Sequence, residues 1–242
     1  MRYFLVVLAA FLYGRASAQP LEPPYDDAGR QLNYLMILPK FGLGSTSIAG
    51  GVSNGVNSTA SLSYSAGVAV FFYNWEEEAD RTGPALDVSY LSEAREFQGN
   101  GAVPTSIRVN YLTLMPSLNW LSIITLGLNI GIPLNASSST PFSSSAQIVT
   151  ALDRSSMNVL IEPKLIIGGP LLYLDQRRGA VGFFLSIGYP LNSVFNKSIG
   201  VMDSNGNSVG QISSFRYFSF QAGLSYAFEI LTEDDHRPTP SF

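Results

Sequence analysis

From about Tyr34 onward the chain alternates apolar residues with small or polar ones at a period of two, in eight segments of about ten residues. In the first, Leu35, Ile37, Pro39, Phe41 and Leu43 share one face, and Lys40, Gly42 and Gly44 lie on the other. In the second, Leu62, Tyr64, Ala66, Val68, Val70 and Phe72 oppose Ser61, Ser63, Ser65, Gly67 and Ala69. Leu86, Val88 and Tyr90 then alternate with Asp87, Ser89 and Leu91, and Leu112, Leu114, Pro116 and Leu118 with Tyr111, Thr113, Met115 and Ser117. The fifth segment sets Ile124, Leu126, Leu128, Ile130 and Ile132 against Thr125, Gly127, Asn129 and Gly131. Val159, Ile161, Leu165 and Ile167 oppose Glu162 and Lys164 in the sixth, and Val181, Phe183, Leu185, Ile187 and Tyr189 oppose Gly182, Ser186 and Gly188 in the seventh. The eighth sets Phe218, Phe220, Ala222, Leu224, Tyr226 and Phe228 against Ser219, Gln221, Gly223, Ser225 and Ala227. Such alternation is the signature of strands with two unlike faces, and no segment sustains a helical period.

The connections alternate too. Those after the first, third, fifth and seventh segments are long and rich in Gly, Ser and Asn, at residues 45–59, 93–105, 135–155 and 192–213. The others are shorter, at 74–83, 119–122 and 170–179. Long connections at one end and short turns at the other predict an antiparallel up-and-down barrel with both termini on the short-turn side. The sequence I-G-x-P-L-N occurs at Ile130–Asn135 and Ile187–Asn192, and is expected to end two parallel-running strands at the same rim.

Alternation does not say which face meets water. The composition does: of 242 residues only 13% are charged, about half the share of a typical soluble domain. The polar faces of the segments carry Gly, Ser, Ala and Asn rather than Lys, Glu and Arg. Small residues suit the cramped interior of an eight-stranded barrel, so the apolar faces are expected to point outward. The prediction is an all-β, eight-stranded transmembrane barrel over residues 34–230. Its inner faces hold few charges: Lys40, Asp87, Glu162, Lys164 and Glu229. Unpaired charge is costly away from water, so Lys40 and Lys164 are expected to meet Asp87 and Glu162 in a lumen cluster. That cluster reads as an ion path or, preferably, a structural plug. Phe71, Phe72, Tyr73, Trp75, Trp120, Tyr173, Phe215, Tyr217, Tyr226 and Phe228 fall near segment ends, where lipid-facing barrels carry aromatic girdles.

The N-terminus reads as a processing segment. Arg2, an apolar run from Tyr3 to Leu12, and Ala16-Ser17-Ala18 form a secretory signal peptide over residues 1–18. Residues 19–33, rich in Pro and charge, are expected to be a flexible periplasmic lead, and 231–242 a periplasmic tail. Loss of Arg2 and Arg15 leaves 14 less two positive charges against 18 negative, a net of −6. This acidity argues against nucleic acid as a partner. With no Cys there is no thiolate metal site or thiol chemistry, and the single histidine, His236, lies in the tail, away from any barrel rim. Hydrolytic designs that need a histidine base are therefore not expected. The runs Glu76-Glu77-Glu78 with Asp80, and Glu233-Asp234-Asp235-His236, read as solvated charge rather than metal ligands. No cofactor motif is present and no enzymatic activity is expected.

The last segment, Gln221-Ala222-Gly223-Leu224-Ser225-Tyr226-Ala227-Phe228, resembles the C-terminal signal by which barrel-assembly machinery recognises outer-membrane barrels, carried by Gln221, Gly223, Tyr226 and Phe228. Together with Lys40-Phe41-Gly42-Leu43, Ala66-Gly67-Val68 and Tyr111-Leu112-Thr113-Leu114-Met115-Pro116, the chain resembles the Bacteroidetes-type, PorT-like barrels of the OmpA-like superfamily. The resemblance implies an eight-stranded barrel in the bacterial outer membrane and brings no catalytic residues. Outer-membrane lipid, the assembly machinery, and a periplasmic or extracellular protein are then the expected partners. The functional reading is a small barrel with a structural or surface-interaction role. A narrow porin or transporter for small solutes, and a secreted soluble barrel binding a small apolar ligand, are the alternatives.

Overall fold

The computed structural model describes residues 33–50, 56–73, 83–99, 104–120, 123–141, 147–175, 179–202, 208–212 and 216–232. The expected signal peptide and most of the lead and tail lie outside them, as do the two acidic runs, Trp75, Phe215 and the side chains of Tyr73, Tyr173 and Glu229.

Twelve strands are present among these residues: β1 (Asn33–Gly50), β2 (Val56–Ala60), β3 (Leu62–Tyr73), β4 (Gly83–Gly99), β5 (Thr105–Trp120), β6 (Ile124–Pro141), β7 (Gln147–Leu152), β8 (Leu160–Asp175), β9 (Gly179–Gly188), β10 (Ile199–Met202), β11 (Ser208–Ile212) and β12 (Arg216–Thr232). Eight of them, β1, β3, β4, β5, β6, β8, β9 and β12, pair each with its neighbour in the chain. β12 returns to β1 over a ladder running from Asn33↔Thr232 to Gly50↔Arg216. Every pairing is antiparallel, so the sheet closes into an eight-stranded up-and-down barrel and leaves none of the eight without a neighbour on either side.

Each of the eight alternating segments is one of these strands, and the strands overrun the predicted connections. β4 continues to Gly99 through residues expected to be loop, β1 reaches Gly50, β6 reaches Pro141 and β8 reaches Asp175. The long connections also form their own pairs: β2 on β4, β7 on β6, and the separate hairpin β10–β11. The reason is physical. Beyond the apolar band the outward positions turn polar, as at Ser106, Arg108 and Asn110, while inward positions such as Phe97, Ile107 and Val109 are apolar, so pairing continues where the expected alternation has faded. Of the two I-G-x-P-L-N copies, only the first differs from expectation. The second spans the end of β9, whose last residues are Ile187 and Gly188, but the first lies inside β6, where the register slips between Asn110 and Tyr111 as β5 passes Pro133 to Asn135. A bulge is where a strand tolerates a residue that cannot donate to the ladder.

The burial pattern fixes the faces. On β5, residues 111–116 read buried, exposed, buried, exposed, buried, exposed, with Leu112, Leu114 and Pro116 outward and Tyr111, Thr113 and Met115 inward. Leu126, Leu128 and Leu224 are exposed, Ser186 is buried, and Gly127 and Gly223 are on the inner wall, against Met115 and the Phe184 ring respectively. The exterior is thus apolar, and the interior holds the buried charged and polar side chains together with two apolar clusters.

Candidate functional site

The outer wall has sharp limits. On β5 the outward residues Ser106, Arg108 and Asn110 give way to Leu112, Leu114, Leu118 and Trp120. On β12, Arg216 gives way to Phe218, Phe220, Leu224 and Phe228, all exposed. A step of ten residues from Phe218 to Phe228, at about 3.4 Å each and a tilt near 40°, covers about 25 Å, the height of a lipid-facing band. Aromatics cluster at its margins. Phe72, Trp120 and Phe228 lie at the short-turn end, with Tyr226 packed edge-on to Phe228 at 4.5 Å between centroids. Toward the other end Tyr189 meets Phe218 at 4.9 Å, and Tyr64 meets Tyr90 at 6.2 Å. Two expected girdle residues are elsewhere: Phe71 and Tyr217 point into the lumen. Strand parity decides this, because Phe71 is flanked by outward Phe72 and Tyr217 by outward Phe218.

Inside, the charges form pairs. Lys40 Nζ donates to Asp87 Oδ2 across β3, and Ser89 Oγ donates to Oδ1 of the same carboxylate. Glu162, 0% exposed, accepts from Asn129 Nδ2 at 2.9 Å and from the Ser219 hydroxyl, with Lys164 Nζ 3.8 Å away. Gly188 makes room for this arrangement. A Cβ there would lie 2.3 Å from Glu162 Oε1, so only glycine on β9 lets the carboxylate pass across to Ser219 on β12. Lys40, Asp87 and Lys164 border one small polar cavity, whose wall also contains Ser186.

A third pair went unread in the sequence. Arg95 sits 3.6 Å from Glu93, donates from Nε to Thr46 Oγ1 at 3.0 Å, and lies 3.5 Å over the ring of Tyr217, whose hydroxyl donates to Glu93. The signal was available: Glu93, Arg95 and Phe97 continue the inward parity of Asp87, Ser89 and Leu91. The run Ser92-Glu93-Ala94-Arg95-Glu96 reads as a solvated loop only if β4 is stopped at Leu91.

Beyond this pair the lumen is closed at the long-connection end. Leu91, Phe97, Ile107, Val109, Tyr111 and Leu160 from the strands pack with Met157, Val194 and Phe195 from two connections. These connections are stitched together by the Met157↔Phe195 bridge, by Asn158 N to Val194 O at 2.9 Å and by Asn196 N to Ser156 O at 3.0 Å. A 3₁₀ turn at Arg154–Ser156 begins this cap. Asp153 accepts from the Ser155 hydroxyl at 2.5 Å and the Ser155 N–H at 3.0 Å, and these bonds hold its carboxyl below the ordinary carboxylate range.

No protein family and no curated protein matches this chain. Solved structures similar to it include Neisserial surface protein A (9% identity, TM-score 0.35, covering 79% of this chain and 95% of that one). Ail of Yersinia pestis is similar at 8% identity and TM-score 0.35 over 82% and 100% of the two chains. The outer membrane protein OprG of Pseudomonas aeruginosa is similar at 10% identity and TM-score 0.37 over 85% and 99%. These likenesses are weak, and the reading of the chain stands on its wall and lumen.

Of the residues resembling an assembly signal, Gln221 points inward and accepts from Ser65 Oγ at 3.0 Å. Gly223 faces the Phe184 ring, and Tyr226 and Phe228 are on the outer wall. Among the described residues no cluster of metal-ligating side chains occurs.

Proposed function

We propose that this chain is a small outer-membrane barrel with a sealed lumen, acting through its long-connection end as a structural or surface-interaction protein. The observation that carries this reading is the inverted wall. Leucine, isoleucine, valine and phenylalanine side chains stand exposed around the barrel while Lys40, Asp87, Glu93, Arg95, Glu162 and Lys164 are turned inward. Exposed apolar patches beyond a few hundred Å² mark a membrane or a partner, and a continuous belt about 25 Å tall fits a bilayer. A PorT-like, Bacteroidetes-type membership, with periplasmic termini and recognition by barrel-assembly machinery through Gln221, Gly223, Tyr226 and Phe228, is the finer form of the proposal. It is supported by the motifs quoted above. No enzymatic role is proposed.

The mature protein is expected to fractionate with the outer membrane, to need detergent for extraction, and to migrate differently on a gel before and after boiling. A soluble protein with unchanged mobility overturns the reading and revives a secreted ligand-binding barrel. The seal gives a second expectation. The ion pairs and the cap over Tyr111, Phe97 and Phe195 fill the lumen, so planar bilayers containing the protein should show no stable single-channel steps. Steps abolished by altering Lys164 or Glu162 would instead establish a narrow porin.

A further inference from the structure

Among the described residues the lumen shows two cavities of opposite character. The polar one, with about 20 Å³ of free volume, is lined by Lys40, Asp87, Lys164 and the buried, unpartnered hydroxyl of Ser186, and suits water. The other lies toward the short-turn end and has about 50 Å³ of free volume between Met36, Leu38, Ala69, Phe71, Ala85 and Met115. The Phe184 ring borders both, as do Lys40, Asp87, Met115 and Ile166. It lies against the inner wall where Gly42 and Gly223 carry no side chain, with a Cβ at Gly223 falling 2.4 Å from the ring, and Lys40 Nζ is 5.6 Å from its centroid.

Most of the polar groups bordering the second cavity, Ser225 apart, are already engaged with the protein. Ser117 Oγ donates to Ala85 O at 3.3 Å, Asn119 Nδ2 donates to Thr125 Oγ1 at 2.7 Å, and Lys40 is paired with Asp87. A water needs two or more polar partners to be held in a buried site, and this wall offers few. The space equals roughly four water-sized spheres, the dimensions of a short run of methylenes rather than of a ring system. Met36 and Met115, unbranched and adaptable, can widen it.

We propose that this cavity is a binding site for a slender alkyl chain, entering from the short-turn end of the barrel and stopping at Phe184. The site goes beyond the surface role proposed above and rests only on the closed lumen.

The methionines supply the test. Protein carrying ¹³C-methyl methionine in lipid nanodiscs, verified as barrel by its boiling-dependent mobility, is titrated with n-pentane and, separately, with glycerol. Saturable methyl shifts are expected at Met36 and Met115 with pentane and none with glycerol. Met157, in the cap at the other end of the lumen, should not move. Ala69→Leu and Ala85→Leu, made separately, fill the cavity and should weaken pentane binding about tenfold, the loss of one or two methylene contacts. Either variant suffices if the other fails to fold. The proposal is overturned by shifts that do not saturate, by equal shifts at Met157, or by undiminished binding in a folded filled variant. Loss of the boiling-dependent mobility would register separately, as failure of the barrel itself.

Discussion

Glu162→Leu is expected to destabilise the protein by about 3–5 kcal/mol, measured as the shift in the urea unfolding transition of protein refolded into lipid vesicles. The carboxylate is fully buried and serves Asn129, Ser219 and Lys164 at once. Its removal leaves an ammonium, an amide and a hydroxyl without their acceptor in a lumen sealed at the cap end. An orphaned buried charge costs more than the intact pair contributes. The double variant Glu162→Leu with Lys164→Leu should therefore recover a large part of the loss. A single substitution costing under about 1 kcal/mol, the range of exposed ion pairs, would show that water reaches this layer freely.

Leu224→Arg should cost about 2–4 kcal/mol in the same assay, the penalty of an arginine near the midplane of a lipid-facing barrel wall. Leu224 is 61% exposed, pairs with Phe41 and Phe183, and lies between the margins set by Phe218 and Phe228. On a water-facing sheet an exposed Leu→Arg change is usually within about 0.5 kcal/mol of neutral. The same substitution therefore separates a membrane wall from a soluble one without any knowledge of ligand or partner. A value near zero would turn the barrel into a soluble protein with an unusual surface.

The parts of the barrel that were legible in the sequence are those where the two faces meet unlike surroundings. Along β6, Ile124, Leu126 and Leu128 face outward while Thr125, Gly127 and Asn129 line a narrow interior, and the alternation is unmistakable. It fails at the ends. Glu93 and Arg95 keep their inward parity, but here the inward residues are charged and the alternate positions Ser92 and Ala94 are small, so the contrast of large apolar against small polar is lost just where a third ion pair begins. The aromatics misled for a related reason: Phe71 and Tyr217 stand beside outward aromatics, and nearness to a strand end does not say which wall a ring belongs to. The cap was out of reach altogether. Met157 and Phe195 are far apart in sequence, and nothing local marks either as part of one hydrophobic cluster. Gly188, Gly42 and Gly223 read as generic small residues until the side chains that lie over them, Glu162 and Phe184, are in place.

The seam between β1 and β12 joins the two ends of the folded chain. Every other barrel pairing links strands adjacent along the chain and can form as a hairpin, whereas this one must close a loop of nearly the whole polypeptide. Such a contact brings the largest entropic cost of closure and comes slowly. Until β12 is delivered, β1 presents an open ladder edge with Phe41 and Leu43 on its apolar face, a ready template for pairing with the wrong chain. The time the chain spends as an open sheet is therefore its period of greatest hazard, and the last seventeen residues of ordered strand are the ones that end it.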